Sequence, residues 1–132
     1  MKNVLMVACT LFATCAFAQK NITWVGGTPG RETCWDEARN WTGHTLPNEF
    51  SDVVIPDVSA RTFSFPVIKN GTIELNSILV ESNAHIAVEA GAELIIDERA
   101  EGLNLKSVEL KGNLVVQGKR MGIQKENLAI RQ

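Results

Sequence analysis

The chain has 132 residues, 45% of them hydrophobic and 21% charged, with a formal net charge of −2. That is the size of one small domain, and the near-neutral balance excludes both a basic nucleic-acid surface and an acidic disordered tail. The cysteines are only three, Cys9, Cys15 and Cys34, and the first two fall in a segment that reads as a removable leader, so no intrachain disulfide framework is expected.

Lys2 is followed by an uncharged, mostly apolar run from Val4 to Phe17, too short to span a bilayer comfortably. Ala16-Phe17-Ala18 is a small-x-small cleavage signal before Gln19. Residues 1–18 are therefore expected to be a secretory signal peptide, leaving about 114 residues at a net charge of about −3. A membrane anchor and a lipoprotein signal at Cys15 are the competing readings; Thr14 stands where a lipoprotein signal wants a smaller residue. The mature chain is expected to be secreted or on the cell surface, with the periplasm as the alternative.

Residues 19–56 form a loop-rich segment holding Trp24, Trp35 and Trp41 among Gly26, Gly27, Pro29, Gly30, Gly43 and Pro47. Asn21 to Val25 predicts a short strand ended by the glycine pair. Asp36 to Arg39 predicts a single helical turn with an acid near its start. Asp52 to Ile55 is a strand closed by Pro56, which has no N–H for a ladder. Indole rings are large enough to cover an exposed apolar end, so the segment is expected to be a cap.

Residues 57–118 carry the repeating pattern. A looser link places Phe63 and Phe65 on one face, and Pro66-Val67-Ile68 ends at the turn dipeptide Asn70-Gly71. Two neighbouring octets, Glu81 to Val88 and Glu89 to Ile96, repeat an acid, a small or polar corner, and an alternating apolar end; a third copy, Asp97 to Leu105, has one extra residue. Strand side chains alternate with period 2, so an eight-residue step keeps each copy on the same face. The expected inward set is Ile73, Leu75, Ile78, Val80, Ala84, Ile86, Val88, Ala92, Leu94, Ile96, Leu103, Leu105, Val108, Leu110, Leu114 and Val116. Corners are expected at Asn76-Ser77, Ser82-Asn83, Ala90-Gly91, Arg99 to Gly102, Lys106-Ser107 and Gly112-Asn113. This predicts an all-β fold, a short single-stranded right-handed parallel β-solenoid with the tryptophan-rich cap at its N-terminal end. An antiparallel meander or a β-sandwich is the alternative, although Ser82-Asn83 and Ala90-Gly91 are poor two-residue hairpin loops. Residues 119–132 lose the pattern and are expected to be a tail or a short helix across the last turn.

The order Trp24-Val25-Gly26, Trp35, Asn40-Trp41, Leu46-Pro47, Asp52-Val53-Val54-Ile55-Pro56 and then aliphatic rungs resembles the N-terminal module of secreted β-solenoid repeat proteins of the Bacteroidetes. It is more distantly similar to the eight-glycine domain of some cell-surface proteins. The resemblance spans roughly residues 22–118. It implies a β-solenoid at the cell exterior and no agreed activity, so no functional residue carries over.

Catalytic chemistry finds little support. His44 and His85 are the only histidines; neither has a nucleophile in a triad-like context or a second ligand at metal spacing. Glu81, Glu89, Glu93, Asp97, Glu98 and Glu101 would stack on outer faces, and read as a solvated acidic surface that protects strand edges. Cys34 reads as a small buried hydrophobe. Asn21, Asn40 and Asn70 each open a glycosylation sequon. No enzyme activity, cofactor or metal is expected. The expected role is structural or adhesive. Glycans or cell-surface proteins are the candidate partners, and a second copy of the chain is a candidate at an uncapped coil end. The competing role is a carbohydrate-binding module that uses Trp24, Trp35 and Trp41 as exposed stacking platforms.

Overall fold

The computed structural model describes residues 20–104 and 106–121; the expected leader, Leu105 and residues 122–132 lie outside them. Nine strands follow in order among the described residues: β1 (Lys20–Thr23), β2 (Ser51–Ile55), β3 (Val67–Ile68), β4 (Gly71–Val80), β5 (Ile86–Val88), β6 (Ala92–Glu101), β7 (Val108–Leu110), β8 (Asn113–Val116) and β9 (Lys119–Met121). Helical structure among the described residues is limited to two 3₁₀ turns, Ala38–Asn40 and Thr42–His44. The fold is all-β, as the alternating pattern predicted.

The strands build two sheets, one in the order β1-β2-β4-β6-β8-β9 and one in the order β3-β5-β7. From β2 to β8 the chain changes sheet at every strand. Pairing is parallel throughout, except that β9 turns back antiparallel on β8. An antiparallel meander is thereby overturned: its consecutive strands would pair, whereas β4 pairs β2 and β6, and β5 pairs β3 and β7. Parallel partners need a long crossover between them, and here the crossover is the strand contributed to the other sheet.

The return distance follows from the register. Gly71 sits beside Ala92, Glu93 beside Asn113, Val67 beside Ala87 and Ile86 beside Val108, so stacked neighbours are about twenty residues apart. Neighbouring octets do not stack on each other. The first ends in β5 and the second opens β6, in different sheets. The octet is the step from one sheet to the other, and its even length keeps Ile86, Val88, Leu94 and Ile96 all turned into the core, where each is at most 1% exposed.

The buried side chains of both sheets join one hydrophobic cluster. Eleven of the expected inward residues are buried, from Leu75 to Leu114, while Ile73, Leu103, Leu110 and Val116 pack against that cluster from its margin. Ile22, Val53, Ile55, Val58 and Ile68 add to it from the earlier part of the chain.

Two expected corners are strand instead. Asn76-Ser77 lies inside β4, and Arg99 to Glu101 lies inside β6. Leu75 pairs with Ile96 but Ser77 pairs with Arg99, so β6 carries one extra residue there, a β-bulge. This is where the third copy's additional residue goes. The polar pair stays in the sheet because both side chains donate to Asp52 Oδ1, Asn76 Nδ2 at 2.7 Å and Ser77 Oγ at 2.6 Å. Left-handed backbone makes the corners at Asn83, Gly91 and Gly102, while those at Lys106-Ser107 and Gly112 turn without it. Gly102 and Gly112 are also required by close stacking: a Cβ on Gly102 would strike the carbonyl of Val80, and one on Gly112 the carbonyls of Glu89 and Ala92. Residues 119–121 are likewise strand rather than tail, because Gln117 and Gly118 both adopt positive φ, as a tight two-residue hairpin requires.

Candidate functional site

The three tryptophans come together. Trp41 is the middle ring: its centroid lies 5.0 Å from that of Trp24 and 4.6 Å from that of Trp35, edge to face in both cases. Trp24 and Trp41 are 0% exposed and Trp35 is 4% exposed. Each inner indole has its N–H satisfied, Trp24 Nε1 by the Ser64 carbonyl at 2.7 Å and Trp41 Nε1 by the Trp35 carbonyl at 2.8 Å. A sugar platform needs a ring face open to solvent, and none of these residues offers one. The exposed-tryptophan arrangement is corrected accordingly.

Asn40 organises the loops around the rings. Its Oδ1 accepts from the Thr28 N–H at 3.0 Å, and its Nδ2 donates to the Arg31 and Cys34 carbonyls at 2.8 and 3.0 Å. Its own carbonyl accepts from the Val25 and Gly26 amides. Asn40 is 0% exposed, so its sequon is closed to modification in the folded chain. Sequence reasoning missed this role; the asparagine set between two tryptophans in a glycine-rich stretch was the available signal, since a loop with no ladder needs a side chain to satisfy its backbone.

The remaining candidates scatter. His44 is exposed at the end of the second 3₁₀ turn. The expected row of acids does not stack, because the return distance is about twenty residues rather than eight. Glu93 lies between Thr72 and Asn113, and Glu101 beside Leu79. One carboxyl pair is coupled: hydrogen bonding to Asp97, the Asp97 charge, then desolvation and the Glu49 charge hold the Glu74 carboxyl above its ordinary range. No group of three or more potential metal ligands occurs among the described residues. Cys34 is half-buried, bridged through its backbone to Val67 at the edge of the three-stranded sheet.

A different surface gathers more chemistry. On the outer face of the three-stranded sheet a concavity of about 500 Å³ is lined by Phe65, Val67, His85, Ala87, Lys106 and Glu109, among others. A second, of about 470 Å³, shares His85, Lys106 and Ser107 with it and continues to Glu81, Ser82, Asn83 and Asn104. The rings of Phe65 and His85 stand perpendicular at 5.1 Å, and Phe63 meets Phe65 edge to face at 6.0 Å. Asp57 lies near His85; its carboxyl is held low by the hydroxyl and amide of Ser59, with a smaller contribution from the imidazole. The opposite sheet also has a polar hollow, of about 570 Å³, where Asn21, Asp52, Ser77 and Arg99 follow one another across β1, β2, β4 and β6.

No helix among the described residues is long and apolar enough to cross a membrane. Comparison with protein-family models, with curated proteins and with solved structures gives no match to this chain.

Proposed function

We propose that the chain is a short right-handed parallel β-solenoid whose indole-rich segment caps its N-terminal end, exported behind a cleavable leader and serving a structural or adhesive role at the cell exterior without enzyme activity. The observation that carries this reading is the parallel register at about twenty residues in two sheets visited alternately. Stacked strands of this kind give an extended, ladder-bonded surface rather than a closed pocket. The cap reading is supported by the indole cluster, which lies beside the edge strand β1 and fixes its irregular loops by buried bonds. On this reading the apolar run before Gln19 is the export signal and the resemblance to exterior β-solenoid modules is one of architecture.

The test is fractionation of a bacterium expressing the full chain, with mass spectrometry of the product's N-terminus and a binding assay of the purified product on washed cells. The reading predicts a soluble exported protein beginning at Gln19 that is retained on cell exteriors. Uncleaved protein in the cytoplasm, or exported protein that binds no cell surface, contradicts it.

A further inference from the structure

We propose that the outer face of the three-stranded sheet is a saccharide-binding groove, with Phe65 and His85 as its ring floor and Lys106, Ser82 and Asn83 supplying polar contacts. This rests on the adhesive reading above and names the ligand class for it.

Three independent observations converge on the groove. The first is ring placement. Val67 and Ala87 face outward from paired positions on β3 and β5, and Phe65 and His85 flank them at the same strand end. The result is an apolar strip on an outer sheet face, where a solvated strand normally carries polar side chains.

The second is backbone strain. Phe63 adopts φ 50, and the residue is 73% exposed. Positive φ is an outlier for a bulky residue, and no burial of the ring offsets it. The amides of Arg61, Thr62 and Phe63 all point to the Val58 carbonyl at 3.0 to 3.1 Å, so the loop is wound tightly enough to hold Phe63 against Phe65. Strain of this sort is retained where a side chain is needed in place.

The third is unused bonding capacity. Ser82 and Asn83 have no side-chain hydrogen bond among the described residues, and Lys106 has no ion-pair partner among them, whereas Glu109 is already paired with Lys111 at 3.3 Å. Rings and small apolar groups at the centre, with free donors and acceptors at the margin, match a pyranose, which presents C–H faces between hydroxyls.

Other ligands fit less well. A peptide adding as a strand needs free backbone groups at a sheet edge, but this groove lies on the sheet's face, where ladder groups point sideways into neighbouring strands. A nucleic acid needs several cations along its path; here Lys106 stands with Glu81 and Glu109 nearby.

The test is affinity electrophoresis of the full exported protein through gels carrying laminarin, xylan, galactomannan or polygalacturonate. At least one is expected to retard it. His85→Ala and Lys106→Ala, both at exposed positions, are expected to weaken retardation about tenfold without changing the melting temperature. Phe63→Gly removes a ring and relieves the backbone, so it is expected to weaken retardation while leaving the protein at least as stable. Retardation by none of the four polysaccharides, or retardation unchanged in these variants, overturns the groove. Retention on protein-coated surfaces alone overturns it too. Binding to washed cells that survives these variants leaves the adhesive role standing without this groove, so the two claims fail separately.

Discussion

The indole-rich segment from Trp24 to Trp41 and the stacked strands from Ile68 to Leu114 bury side chains by different means. In the strands, aliphatic residues recur on one face, and the backbone is satisfied by ladder bonds that any residue but proline can make. The indole segment has only isolated bridges, Trp24 with Trp41 and Cys34 with Val67, in place of a ladder. Its backbone is held by scattered turn bonds and by the side chain of one asparagine, and its rings depend on particular carbonyls of Ser64 and Trp35. The first region is specified by a pattern and tolerates exchange within it. The second is specified by individual atoms.

The sharpest way to break this contrast is Trp41→Ala. It removes the middle ring of the cluster and an N–H bond at once, and should cost about 3–5 kcal/mol. Chemical denaturation should show one cooperative loss of stability of that size. Asn40→Ala comes next. It orphans the Thr28 amide and takes one of two donors from each of the Arg31 and Cys34 carbonyls, which keep the amides of Cys34 and Glu37; with about 1–3 kcal/mol for the buried orphan and less for each weakened carbonyl, a net loss of about 3 kcal/mol is expected. Gly112→Ala should cost about 1–3 kcal/mol in the strand region, because the new methyl meets two carbonyl oxygens on the neighbouring turn of chain. Ile96→Val, at a fully buried rung, should cost only about 1 kcal/mol. If Ile96→Val destabilised as much as Asn40→Ala, the contrast between pattern and individual atoms would be wrong.

The smallest effect concerns pH, and its sign differs between the two regions. In the strand region the Glu74 carboxyl is held high by its bond to Asp97 and by that residue's charge. The folded state therefore binds this proton more tightly than the unfolded state does. The associated stability is fully present below the ordinary carboxylate range and is lost as pH rises through the raised value. In the indole segment Glu37 is held low, first by the Arg39 guanidinium and then by the Arg39 amide. Its contribution is present above the ordinary range and is lost as pH falls through the lowered value. Thermal melts at neutral pH should thus rise slightly for Glu74→Gln and fall slightly for Glu37→Gln, with the Glu74→Gln difference vanishing first on acidification and the Glu37→Gln difference last. Equal and parallel pH profiles for the two variants would count against this assignment.

Much of the strand region was legible because hydrophobic periodicity survives any detail of the turns. The eight-residue step put Ile86, Val88, Leu94 and Ile96 on one face, and all four are core. The same step concealed the return distance, since equal parity is kept whether a repeat stacks on its neighbour or on the unit after it. Asn76-Ser77 reads as a corner by composition; it is held in β4 by Asp52, a residue twenty-four positions earlier that no local window contains. Gln117-Gly118 lacks the usual turn dipeptide, yet both residues take positive φ and start β9. In the indole segment, burial of the rings followed from their size and the need to cover a strand edge. The bonds of Asn40 did not follow, because they close over loops whose path the sequence does not periodically encode. The groove on the three-stranded sheet was invisible for the same reason: Phe65, His85 and Lys106 are about twenty residues apart each and meet only through the register.

The central claim is that alternate segments, not neighbouring ones, lie side by side in parallel. Backbone NOEs in the labelled protein test it directly. The account predicts cross-peaks linking Ala87 to Val67 on one side and to Glu109 on the other, in the parallel pattern, and Ile95 to Glu74 and Val115. Cross-strand NOEs between Ala87 and Ile95, joining one octet to the next, would contradict it.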